Sequence, residues 1–375
     1  MPPRAVFVGH DVYRRPAYGT LHPLAIPRVE SVVDLCRALG WLPAHDYEPS
    51  PVASEDELAA FHDRAYIAAL REGSAGRALD AEARRRHNLG TFENPLFAGV
   101  FERASTSVGG SIHAARLALQ GRTAYHPAGG THHGRRERAH GFCFFNDPVF
   151  ALLTLLDAGL ERVAYVDLDA HHGDGVEDAF AADDRVALAS IHEAGRWPFT
   201  GTLESCRPGR VLNLPVPPGF ADAELALLLD EVLLPFVASF SPQAIVLTCG
   251  ADALAGDPLA HMALSNVALW NAVDRLAACA SAAVVLGGGG YNPWTLARYW
   301  AGLWARLSAR AVPAELPDAA RAVLAALSCD LIDEDDVQPS WTTRLADAPN
   351  AAPVRREIVD LRDAALARLN AKARA

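Results

Sequence analysis

The run Asp167-Leu168-Asp169-Ala170-His171-His172-Gly173-Asp174 packs three carboxylates and two imidazoles into eight residues, directly after the apolar stretch Val163–Val166. Acids this dense at the end of a buried strand repel one another and desolvate badly unless a cation holds them. Residues two apart on an extended chain point the same way, so Asp169 and His171 can share one ion. A third carboxylate, Asp252, follows another apolar run through Cys249-Gly250-Ala251. One imidazole and two carboxylates leave a coordination position open to water, the make-up of a catalytic metal site. Zn²⁺ suits such a site; Fe²⁺ and Mn²⁺ also accept a mixed N/O shell. Taken alone, Asp252 reads equally well as a helix cap, and Asp257 in the same loop reads as structural.

Two further clusters carry chemistry. Gly129-Gly130-Thr131-His132-His133-Gly134 sets paired imidazoles among glycines, where the backbone can approach a bound group closely. A neutral histidine can take a proton from water, and a protonated one can give it to a leaving amine. Each needs an orienting carboxylate, and Asp167 and Asp174 are the spare acids of the first segment. Tyr291 follows the glycines 287–290. That tract lacks both the Lys-Ser/Thr of a phosphate loop and the GxGxxG spacing of a dinucleotide site. A phenol there can hydrogen-bond a developing oxyanion.

The elements that must position these groups are legible as short apolar runs at Ala5–Val8, Val163–Val166, Val186–Ile191, Ala244–Thr248 and Ala283–Leu286. They are rich in Val, Ile and Leu without alternation, as parallel strands covered on both faces are. Helical patterns lie between them. One follows Asn146-Asp147-Pro148, with Asp147 as the expected cap; others start near Asp222 and Ser265. The alternation predicts an α/β fold with a parallel sheet. The polar clusters fall at the carboxyl ends of strands, where open α/β sheets bind ligands. Pro208–Pro218 reads as surface loops with a short strand, and 354–369 has amphipathic helix spacing. We expect one domain over residues 1–375, with the motifs in a core of about 20–310 and a helical segment, about 311–375, packed on it.

Composition narrows the class. The 375 residues carry a net charge of −11, which argues against direct nucleic-acid binding through a basic surface. Lysine occurs once, at Lys372, so nearly all positive charge is arginine; we read this, with the abundant alanine, as bacterial GC-rich coding bias. The six cysteines are scattered with no C-x-x-C pair, which fits free thiols in a reducing cytoplasm. No secretory signal or membrane span is expected.

The motifs GGTHHG, GFCFFND, YVDLDAHHGDGVEDAF, GADALAGDP and GGGGYNP, in that order, resemble the histone deacetylase family, and within it the bacterial acetoin-utilization type. The resemblance runs from about His22 to about Trp300. It implies an arginase-like single domain with a central, mostly parallel sheet of about eight strands flanked by helices. It implies hydrolysis of N-acetyl amides, from an acetylated protein or a small acetylamine such as an acetylpolyamine, to amine and acetate. By resemblance Asp169, His171 and Asp252 are zinc ligands. His132 and His133 are the tandem catalytic histidines, paired with Asp167 and Asp174 respectively, with His133 as main acid–base and His132 electrostatic. Tyr291 polarises the carbonyl, and Gly141 and Phe142 line the acyl-lysine tunnel. A structural K⁺ is implied at Asp167, Asp169, His171, Ser190 and Ile191. Glu93 stands where relatives carry an acid that holds substrate backbone at the rim, here Glu in place of Asp. The stretch Trp197-Pro198-Phe199-Thr200-Gly201 departs from the commoner F-P-G-T-G, so Trp197 or Phe199 supplies the second tunnel wall. A ureohydrolase of arginase type, which needs two metals, and a non-catalytic acetyl-ligand-binding protein are the rival readings.

Overall fold

Most of the strands are short, apolar and buried on both faces, so they need helices above and below them. In the computed structural model, which describes residues 5–370, eight of them form one sheet. They are β1 (Ala5–Gly9), β2 (Tyr47–Pro49), β3 (Thr123–His126), β4 (Val163–Asp167), β5 (Val186–Glu193), β6 (Val211–Val216), β7 (Ala244–Thr248) and β8 (Ala282–Leu286). Their order is β2-β1-β3-β8-β7-β4-β5-β6, and every pairing is parallel. Along β4, Val163 and Tyr165 face one core cluster while Ala164 and Val166 face the other. The helices Val100–Leu119 and Asp147–Asp157 cover the first face; Val29–Ala38, Asn266–Ala277 and Pro293–Leu307 cover the second.

Register decides where the site lies. His126 pairs with Leu286, Leu286 with Thr248, Thr248 with Asp167, and Asp167 with Ser190. The last residues of four strands, together with Ser190 of β5, therefore stand in one row. The loops that follow β3, β4, β7 and β8 start from a common line.

Two local readings change. Asn146, not Asp147, caps its helix, accepting from the Val149 amide at 3.4 Å. Asp147 is the first helical residue, and its carboxylate turns to the Gly130 and Thr131 amides and the Ser111 hydroxyl. The last helix is Arg356–Asn370, so Val354 lies outside it and is partly exposed, while Ile358 and Ala365 join the main core. Ser265 does cap its helix, accepting from the Ala268 amide at 3.1 Å. The helix at Asp222 begins there, but its carboxylate accepts from the Ser265 and Asn350 amides instead of capping.

Leu316, Ala320, Leu324 and Leu345 share that same core, and the fully buried Arg298 donates to the Arg344 carbonyl and to Asp347. All six cysteines are free, and no helix among the described residues is long and apolar enough to cross a membrane.

Candidate active site

The chain leaves β4 at Asp167 and turns so that the next three chemical residues point into one buried volume. Asp167 accepts from the Asp169 amide at 3.0 Å and from the Tyr165 hydroxyl at 2.6 Å. Asp169 accepts from the Gly289 amide at 2.6 Å and the His171 amide at 2.9 Å. Asp252, from the loop after β7, accepts from the Ala170 amide at 3.0 Å. His171 Nδ1 lies 2.9 Å from Asp252 Oδ2 and 3.2 Å from Asp169 Oδ1. Ligand atoms of Asp169, His171 and Asp252 all lie within 4.8 Å of one another, in full burial for both acids. Two buried carboxylates sharing one imidazole carry excess negative charge, and burial and Asp169 push the Asp252 carboxyl up. A cation removes that excess, so the donor set fits a metal ion.

Backbone approach makes this possible. A Cβ on Gly250 or Gly289 would overlap the carboxylate oxygens of Asp169 and Asp252. Only glycine lets the two loops close on the acids.

The tandem histidines stand beside this Asp-His-Asp group. His132 Nδ1 donates to Asp167 Oδ2 at 2.7 Å, and its Nε2 is 3.9 Å from Asp169 Oδ1. His133 Nδ1 donates to Asp174 Oδ1 at 2.7 Å. Burial alone would depress His132, but the Asp167 and Asp169 charges outweigh it and raise it to about 9. Burial and the neighbouring His132 hold His133 down to about 3. Burial opposes ionisation of Asp174 too, yet its bond to His133 and the Arg135 charge lower it to about 2.

Above this floor lies a cavity of about 760 Å³ lined by Phe92, Glu93, His133, Gly141, Phe142, His171, Trp197, Phe199 and Tyr291, among others. His133 lines it; His132 does not. The Phe142 and Tyr291 rings are 6.0 Å apart, and Trp197 stands edge-on to His133 at 4.7 Å. Trp197 is thus the aromatic that packs against His133, and Phe142 the one nearest Tyr291. Tyr291 is buried, which drives its hydroxyl pKa well above normal and keeps it protonated. Its amide donates to Asp257 at 2.7 Å. Asp257 also receives the Leu259 amide, which gives it the structural role read from sequence.

Both outer loops hold an aromatic in the left-handed backbone region: Phe142 at φ +64° and Phe199 at φ +62°. For bulky residues that conformation costs about 1–3 kcal/mol and persists where surroundings over-determine it. Glu93 does not simply face solvent. It accepts from the Gly141 amide at 2.6 Å and the Asn88 side chain at 2.9 Å, tying the rim to the Phe142 wall. Ser190 stands opposite Asp167 in register, followed by Ile191, and its hydroxyl bonds His192 at 2.8 Å.

Several contributors lay outside the sequence reading. Arg135, two residues past the tandem histidines, pairs with Asp174. Arg28 donates to the Gly288 carbonyl and sits 5.3 Å over the Trp300 ring. Arg135's nearness in sequence to His133, and Arg28's place inside the stretch that resembles the family, were the available signals.

A model of the histone deacetylase domain matches residues 22–307. The chain belongs to the histone deacetylase family. It is a hydrolase of the deacetylase type, with an eight-stranded parallel sheet as that family has. It is 35% identical over 316 residues to the acetoin utilization protein AcuC of Bacillus subtilis, covering 80% of this chain and 81% of that one. Histone deacetylase 8 of Xenopus tropicalis is 33% identical over 302 residues, covering 78% and 81%. The crystal structure of a histone deacetylase homologue from Aquifex aeolicus superposes on this deacetylase with a TM-score of 0.92 at 34% identity, covering 96% of this chain and 99% of that one. A structure of such a homologue complexed with SAHA gives 0.91.

Proposed function

We propose that this deacetylase hydrolyses the acetyl-lysine amide with one Zn²⁺ held by Asp169, His171 and Asp252. The observation that carries this reading is that one cavity is lined by His171 of the Asp-His-Asp group, by His133, which Asp174 orients, and by Tyr291. When bound, the cation supplies Lewis acidity to water and to the amide carbonyl.

The chain's own residues do the rest. Phe142 and Trp197 hold the apolar lysine stem between rings. His133, oriented by Asp174 and facing the cavity, takes a proton from the attacking water. The Tyr291 hydroxyl donates to the carbonyl oxygen as it becomes an oxyanion. His133 then returns its proton to the lysine nitrogen as the C–N bond breaks, leaving amine and acetate. His132, behind the floor and bonded to Asp167, acts through charge. A structural K⁺ bound by Asp167, Asp169, His171, Ser190 and Ile191 would brace the same loop. We take the cytoplasm as its compartment, in keeping with the free thiols.

The test is metal content alongside turnover of an acetyl-lysine peptide, with and without chelator. One divalent ion per chain and chelator-sensitive release of acetate are expected. Two ions per chain would favour the ureohydrolase chemistry, and turnover of N-acetylputrescine alone would move the substrate to polyamines.

A further inference from the structure

Seven large apolar side chains are substantially exposed among the described residues, and the two aromatic ones both line the active-site cavity. Phe92 is 67% exposed and Phe199 is 72% exposed. An exposed phenylalanine gains little from folding, and two at one mouth mark a contact surface.

Phe199 carries the stronger signal. It occupies the third position of Trp197-Pro198-Phe199-Thr200-Gly201, where the commoner form of this loop has glycine. Its backbone is left-handed, a conformation glycine adopts freely and phenylalanine does not. The flanks hold it there. The Phe199 amide donates to the Arg196 carbonyl at 2.8 Å. Thr200 is bonded to His172 at 2.8 Å, and His172 donates to Glu177 at 3.0 Å. His192 donates to the Gly201 carbonyl at 2.9 Å. A strained backbone thus presents an aromatic ring to solvent, with no packing inside the fold to account for it.

Charge at the mouth is already committed. Glu93 holds the Gly141 amide and Asn88. Glu193 is nearly buried and pairs with Arg196 at 2.8 Å. These are the two acids that line the cavity.

Resting on the acetyl-lysine reading above, we propose that Phe92 and Phe199 form an apolar rim that selects peptide segments with a hydrophobic residue beside the acyl-lysine. They are specificity residues for the part of the substrate that stays outside the tunnel.

The experiment compares kcat/KM for two acetyl-lysine peptides that differ only in the residues flanking the lysine, leucine in one and serine in the other, with N-acetylputrescine as a third substrate. The wild-type enzyme is expected to prefer the leucine peptide about tenfold, the scale of one partly buried apolar side chain. Phe199→Gly, which relieves the backbone, and Phe92→Ala should each cut that ratio at least threefold through KM. Thermal melting of Phe199→Gly should not fall, which separates lost recognition from lost folding. Equal turnover of the two peptides by the wild type, or an unchanged ratio in both variants, overturns the rim proposal alone. Turnover of neither peptide, with N-acetylputrescine consumed, overturns the rim and the acetyl-lysine reading together.

Discussion

The floor of the active site and its mouth are built by opposite means. On the floor, Asp167, Asp169, Asp174 and Asp252 are all buried, and each carboxylate is held by hydrogen bonds from residues on the loops that leave the sheet. The row of strand ends sets these loops on one line, and glycines let them close. At the mouth, Phe92 and Phe199 are largely exposed to solvent on loops, and one of them strains its backbone. The chemistry proposed for this enzyme thus sits on loops fixed by the strand row, and the proposed selection sits on loops that the row does not set. The floor is built from the family's shared motifs; the departures from its pattern, Glu93, Trp197 and Phe199, all line the cavity above it.

That contrast can be broken by substitution. Asp169→Ala should remove the bound metal and lower activity about 10³-fold or more, because Lewis-acid assistance is worth several kcal/mol. Full metal occupancy in that variant would reject the residue as a ligand. Tyr291→Phe should keep its metal and lose about 10²–10³-fold in kcat, as removal of an oxyanion donor does. Near-normal turnover would remove Tyr291 from the reaction. Asp174→Asn should leave His133 in place but misoriented, costing about 10²-fold in kcat with little change in KM; a pure KM effect would contradict its role. The smallest effect belongs to the mouth. Glu93→Gln weakens the bond to the Gly141 amide by about 1 kcal/mol, so KM should rise roughly fivefold with kcat nearly unchanged. A large kcat loss there would erase the division between floor and mouth.

The same division decides what sequence could tell. Asp169 and His171 were legible because acids that dense after an apolar strand have few other uses, whereas Asp252, a lone acid after another apolar run, was legible only as the third donor such a pair needs. The pairing of His132 with Asp167 and His133 with Asp174 came from the family resemblance, and the distances agree with it. β2 and β3 were not legible: they are three and four residues long, and Thr123-Ala-Tyr-His126 has no continuous apolar run. Asn146 and Asp147 are both good caps, and the choice is made by Gly130 and Thr131, which a local pattern does not contain. Glu93's bond to Gly141 spans 48 positions and leaves no trace in spacing. The departure at Phe199 was visible, but its left-handed backbone was not.

The closeness of Gly250 and Gly289 to the Asp169 and Asp252 carboxylates has a practical result. A saturation library of this enzyme should record intolerance at positions that own no functional group at all. Adding a single methyl to either one would push an acid off its aim as surely as deleting the acid, so the most fragile parts of the catalytic apparatus include atoms that are not there.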